Sequence, residues 1–169
     1  MSGESILLTI AQIGVAIAGF SSVVAVFGRR TGTTWSRADR FRLSLMIEFS
    51  LAAALFAFVP LCIHYVDEEP TVVWTTSSLL LTVFLVAQVV SVVQRIRPLG
   101  SERRSLRRWL AAFMVVCLNG ALLLQLANVL NIGFHREFAP YLIGLVLMLM
   151  ASAAQFARLI FLGITAPDA

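Results

Sequence analysis

The chain has 169 residues, 59% of them hydrophobic and 13% charged, with a mean hydropathy of +0.90. Soluble domains are about half apolar and about a quarter charged, so this balance excludes an ordinary soluble domain and leaves no stretch for a separate soluble core. The formal charge of +4 comes with thirteen arginines and no lysine. Because the arginines flank apolar segments, the expected partner is the membrane surface and not nucleic acid.

An arginine-only basic set fits a high-GC codon bias and so a bacterial source. The opening MSGES lacks the basic residues of a signal peptide, so residues 5–27 are read as a first membrane span. Within it Gly14, Ala18 and Ser22 recur every four residues, a strip where another helix can approach closely. Gln12 is the one amide of this span.

GRRTGTTWSRADR follows, with Arg29, Arg30, Arg37 and Arg40, and Arg42 comes directly after it. Ser36 as N-cap and Asp39 in the first turn place a helix start near Arg37. The second span covers about 42–65, and Pro60 is expected to bend its far end. The acidic turn VDEEPT leads to a third span, 72–93, which carries Gln88 and Ser91. QRIRPLGSERRSLRRW then supplies Arg95, Arg97, Arg103, Arg104, Arg107 and Arg108, with a turn at 98–100 and Ser101 as a cap. The fourth span, 109–130, contains Asn119, Gln125 and Asn128. After NIGFHREF the fifth runs over 140–162, with Pro140 in its first turn.

The arginines set an orientation. Five lie in or beside the first loop, six in the third, none in the second and one in the fourth. The positive-inside rule then predicts a single all-α membrane domain, a bundle of five transmembrane helices with the N-terminus outside and the C-terminus cytoplasmic. Trp35 and Trp109 would mark the inner interface, and Tyr65, Trp74 and Tyr141 the outer one. The arginines of the two inner loops, Arg42 and Arg95 included, are expected to contact anionic inner-leaflet lipid.

One carboxylate, Glu48, stands roughly 8 Å inside the cytoplasmic boundary at the helical rise. Arg158 on the fifth span lies roughly 6 Å inside the same boundary. On that span Gly144, Met148, Ala151, Gln155 and Arg158 share one face by alternating spacings of four and three. A charge at the bilayer centre costs about 2.5–3.5 kcal/mol, so the matched depths predict a Glu48–Arg158 pair with Gln155 beside it. Arg158 snorkelling to the headgroups is the alternative. Such a pair either fixes helix register or handles protons or ions.

Gln12, Gln88, Gln125 and Asn128 read as glue between helices or as a polar lining, with Gln125 and Asn128 on one face and Asn119 nearly opposite. Asn119 so placed points to contact with another subunit. Cys62 and Cys117 are expected to be buried, inert core thiols of apolar helices. His64, Asp67, Glu68, Glu69, His135 and Glu137 gather near the outer loops without metal-ligand spacing, so no metal is expected. No Walker lysine, GxSxG, HExxH or TVGYG-like filter is present, and no cofactor or catalytic set is predicted.

IAQIGVAIAGFSSVVAVFGRR, the tryptophan after it, RADRFRLSL and the later VPL resemble uncharacterised small bacterial inner-membrane proteins, over the first two spans mainly. That resemblance implies a bacterial inner-membrane location and no activity. The expected function is a small non-enzymatic membrane protein, an oligomeric channel or transporter for ions or small solutes. The alternative is a structural or accessory subunit of a larger membrane complex. A homo-oligomer or a membrane-protein partner follows from either.

Overall fold

Each apolar stretch folds as one helix that runs on into its polar flank. The computed structural model describes residues 3–30, 37–97 and 108–165, with side chains described except at 27–30, 38, 108, 109, 159 and 161–165. Helix α1 is Glu4–Arg30, α2 is Arg37–His64, α3 is Pro70–Ile96, α4 is Arg108–Val129 and α5 is Phe138–Thr165. Among the described residues there is no strand. All five helices contain a stretch of 20 to 27 residues that is long and apolar enough to cross a membrane. At about 1.5 Å per residue even the shortest of these reaches about 30 Å.

Local chemistry explains the helix ends. Pro70 opens α3, where its fixed φ suits the helix and its missing N–H is no loss. Just before it the Asp67 carboxylate accepts the Glu69 N–H at 2.9 Å. Helix α4 closes with paired bonds from Ile132 N–H to the Ala127 carbonyl (2.8 Å) and from Asn131 N–H to the Asn128 carbonyl (3.3 Å). Asn131 takes the left-handed φ of 60° that this closure requires, a conformation asparagine tolerates. Pro60 sits inside α2 and is buried. Trp35, Ser36, the turn at 98–100 and Ser101 lie outside the described residues.

Helices α2, α3, α4 and α5 form a square in which each packs on the next and α5 closes back on α2. The contacts that cross each corner join the start of one helix to the end of its neighbour, so successive helices run antiparallel. Helix α1 lies outside the square, against α2 and α5. The bundle therefore has a short-loop end, with residues 65–69 and 130–137, and an arginine-rich end. The centre is filled by Phe49, Leu81, Leu85, Leu145 and Met148, all buried.

Alanines let α1 and α2 come close. Ala52, Ala53, Ala54 and Ala57 are buried, and a Cβ added to Gly14 of α1 would stand 2.5 Å from the Ser50 carbonyl and 3.0 Å from the Ala54 Cβ. The predicted small-residue strip is partly corrected here. Gly14 and Ala18 face α2, but the strip continues through buried Ser21, while Ser22 is exposed. At 3.6 residues per turn, seven residues return to within about 20° of the starting direction, whereas eight overshoot by about 80°.

Gly14→Ala is expected to lower unfolding stability in detergent by about 1–3 kcal/mol, because the added methyl meets backbone. Gly19, on the outer face with nothing within 4 Å, gives the control. Gly19→Ala should be neutral or gain up to about 1 kcal/mol from helix propensity. Equal effects of the two changes, measured by SDS titration or melting, would contradict the α1–α2 contact.

Candidate functional site

The polar groups inside the bundle fall into two sets, one at each end. At the short-loop end Gln125 and Asn128, both on the inner face of α4, are fully buried. Asn128 donates to Ser78 Oγ of α3 at 2.8 Å and to the Glu137 carbonyl at 3.2 Å, and accepts the Glu137 N–H at 3.0 Å. It thereby holds a loop in which His135 and Arg136 adopt positive φ, 48° and 58°. Gln125 donates to the Pro140 carbonyl at 2.9 Å, and a side chain at Gly144 would occupy the space of its amide. Tyr141 donates to the Phe56 carbonyl of α2 at 2.6 Å.

Trp74 and Tyr141 differ from the expected interfacial belt. Both are buried, with Trp74 packed against Phe138 (ring centroids 5.1 Å) and Tyr141 (6.1 Å). Each ring gains more contact area inside this aromatic cluster than at a surface, and the Tyr141 hydroxyl finds a carbonyl there. Tyr65 is exposed. Among the described residues no three of His, Cys, Asp and Glu converge as metal ligands. Cys117 is buried as expected, whereas Cys62 is exposed, a correction: it lies on the outer side of α2, between exposed Phe58 and Tyr65.

At the arginine-rich end Glu48 is ion-paired, but with a different arginine from the one depth matching selects. Arg95 Nη1 of α3 stands 2.6 Å from Glu48 Oε1, in place of Arg158. Ser44 Oγ donates to the same oxygen at 2.6 Å, and the Gln88 amide nitrogen lies 3.5 Å from Oε2, long for a hydrogen bond. Helices α2 and α3 form an antiparallel hairpin, and Phe56 of one packs on Phe84 of the other at 5.2 Å. That register brings the last turns of α3 beside the early turns of α2, within reach of the long Arg95 side chain. The pair is only half-sheltered, its side chains 27% and 43% exposed.

Arg158 lines a cavity on the other side of α2, together with Arg42 and Gln155. Arg42 is a second correction. Instead of reaching surface lipid it is 3% exposed and paired with Asp39 at 2.8 Å. Position 42 falls on the face of α2 that carries buried Leu45, Met46 and Phe49, so its side chain turns inward. Gln155 is also buried, with its amide nitrogen on the Met114 sulfur. Arg37, Arg40 and Arg97 are exposed. Arg103, Arg104 and Arg107 lie outside the described residues, and Arg29, Arg30, Arg108 and Trp109 are described as helix backbone only.

Of the amides that the sequence assigns to helix contacts, two face outward. Gln12 on α1 is exposed, and so is Asn119 on α4, whose amide donates to the Val115 carbonyl of its own helix at 2.8 Å. Nothing in the sequence pattern singled out Ser44 or Ser152. Ser152 donates to the Met46 carbonyl at 2.8 Å, joining α5 to α2. Comparison of the chain with protein-family models, with curated proteins and with solved structures finds no match.

A double-mutant cycle measures the ion pair. Glu48→Gln and Arg95→Gln should show a coupling on the order of 1 kcal/mol, kept small by their exposure. Glu48→Gln with Arg158→Gln should be additive within a few tenths of a kcal/mol. The opposite pattern would restore the pairing expected from depth.

Proposed function

We propose that the chain is a multi-pass protein of a bacterial inner membrane that works without catalysis as a subunit of a larger membrane assembly, built from its own copies or with another membrane protein. The observation that carries this reading is the polarity of the bundle. Inside it, Gln125, Tyr141 and Ser152 donate to main-chain carbonyls of neighbouring helices and Asn128 donates to Ser78, while Phe20, Leu55, Val83, Val116 and Leu123 stand outside, each more than 60% exposed. Apolar surface on that scale is rare on a soluble monomer and suits lipid. The arginine-rich end then faces the cytoplasm, which puts the N-terminus outside and the C-terminus inside.

Exposed Gln12 and Asn119 favour assembly. An amide facing hydrocarbon carries a desolvation cost of about 1–3 kcal/mol on mutational scales, which a polar group on an adjoining helix removes. The bacterial location follows from the arginine-only basic set and the resemblance of the first two helices.

A second reading, conduction of ions or small solutes, draws on one observation. Glu48, Arg95, Ser44 and Gln88 form a polar cluster in the α2–α3 groove, part of it open to the surface. The packed centre of the square blocks a path through one copy, so a conducting path would run between copies.

Purified in mild detergent from its native membrane, the protein should migrate as an oligomer or a complex, and Gln12→Leu with Asn119→Leu should shift it toward a single chain. Reconstituted liposomes should pass ions no faster than empty ones. A strictly monomeric wild type would sink the assembly reading, and flux that changes in Glu48→Gln would replace it with conduction.

A further inference from the structure

We propose that the cavity at the arginine-rich end of the bundle binds one neutral, hydroxyl-bearing alkyl lipid of the long-chain alcohol class, its hydroxyl donating to Gln155 Oε1. The proposal goes beyond assembly, and it rests on the membrane reading above only for the source of that lipid, the surrounding bilayer.

The cavity exists because α2 and α4 stand on a diagonal of the square and make no close backbone approach among the described residues. It measures about 90 Å³ and, apart from Gln155 and two arginines, is walled by apolar side chains of α2, α3 and α4. Arg42 and Arg158 already have partners within the chain and take no part in the proposed contact. An apolar cavity of about 150 Å³ accepts a benzene, so this smaller one accepts a hydroxyl and the first few carbons of a chain. Val115 lines it and is 59% exposed, so the wall on α4 reaches the lipid-facing surface, where the rest of the chain lies.

Gln155 selects the ligand. It lines the cavity and is 4% exposed, its amide nitrogen rests on the Met114 sulfur, and its Oε1 has no hydrogen-bond partner. A thioether accepts and cannot donate, so that contact fixes which end of the amide is oxygen. Buried polar atoms are normally satisfied, and this one is an acceptor that lacks a donor. A plain acyl chain would fill the space and leave the oxygen bare. A water takes two to four polar partners, and Gln155 Oε1 offers one. An alcohol needs that one acceptor, and its chain covers the apolar walls. The depth fits as well. Gln155 stands one turn inside the end of the apolar stretch Phe138–Arg158, so the hydroxyl passes only about 5 Å below it. A hydroxyl taken into hydrocarbon is costly unless it is hydrogen-bonded, so donor and acceptor each remove the other's penalty.

The probe is n-octanol carrying a diazirine in its chain, irradiated with the full chain in mild detergent, the labelled residues being mapped by mass spectrometry. Label is expected on residues that wall the cavity, Met114 and Leu118 among them. At equal mole fraction in the micelle, n-decanol should displace it about tenfold more effectively than nonyl methyl ether, an isomer without a donor. Tenfold is the difference expected for one buried hydrogen bond. Gln155→Leu should still be labelled, with the alcohol and the ether now close to equal. Ala111→Phe, which fills the cavity, should lose the label. Equal displacement by alcohol and ether in the wild type would overturn the proposal without recourse to any variant. So would label confined to the outer surface of the bundle, an alcohol preference that survives Gln155→Leu, or undiminished labelling of Ala111→Phe. The titration is in detergent and so stands apart from the membrane reading, which a carbonate wash of the native membrane tests by itself. Protein that stays in the pellet but shows no preference for the alcohol defeats this proposal alone.

Discussion

Two hydroxyls of α5 donate to main-chain carbonyls of α2, Tyr141 to Phe56 and Ser152 to Met46. The donors are eleven residues apart and the acceptors ten, about three turns in each helix. The two helices are therefore locked antiparallel at two depths, and neither can slide or rotate without leaving a buried hydroxyl unsatisfied. Everything else is placed by this seam. Helix α1 lies along it, its approach to α2 set by Gly14 and the alanines, and α3 and α4 complete the square on its other side.

The two ends of the square are built differently. At the short-loop end Asn128 and Gln125 tie α4 to α3, to the loop before α5 and to the first turn of α5. That end is closed. Toward the arginine-rich end α4 is held by Gln155 on Met114, a weak contact, and by apolar packing. The diagonal stays open there, and the cavity with Arg42 and Arg158 is the result. Charge is handled the same way on both sides of α2, with Glu48 against Arg95 on one and Asp39 against Arg42 on the other.

The five helices were legible because apolar length and flanking charge report directly on them. The inward face of α5, from Gly144 through Met148, Ala151 and Gln155, was legible because spacings of four and three define one stripe. The partner of Glu48 was not, because depth below a surface says nothing about which helices adjoin. The hairpin held the missing signal, since consecutive helices usually pack together. Eight residues before Phe56 is Glu48, eight after Phe84 is Val92, and Arg95 is one turn further. Trp74 and Tyr141 were misplaced for a related reason. An aromatic near a helix end suits an interface or a core equally, and only its contacts decide.

The proposed orientation, with the arginine-rich end in the cytoplasm, is tested most directly by single-cysteine labelling. With Cys62 and Cys117 replaced by alanine, Tyr65→Cys and Arg97→Cys put one exposed thiol near each end of the bundle. A membrane-impermeant maleimide applied to intact cells should label Tyr65→Cys at once, and Arg97→Cys only after permeabilisation. Labelling of Arg97→Cys from outside, with Tyr65→Cys protected, would invert the protein and contradict the account. Labelling of both from one side would mean that α3 does not cross the membrane at all.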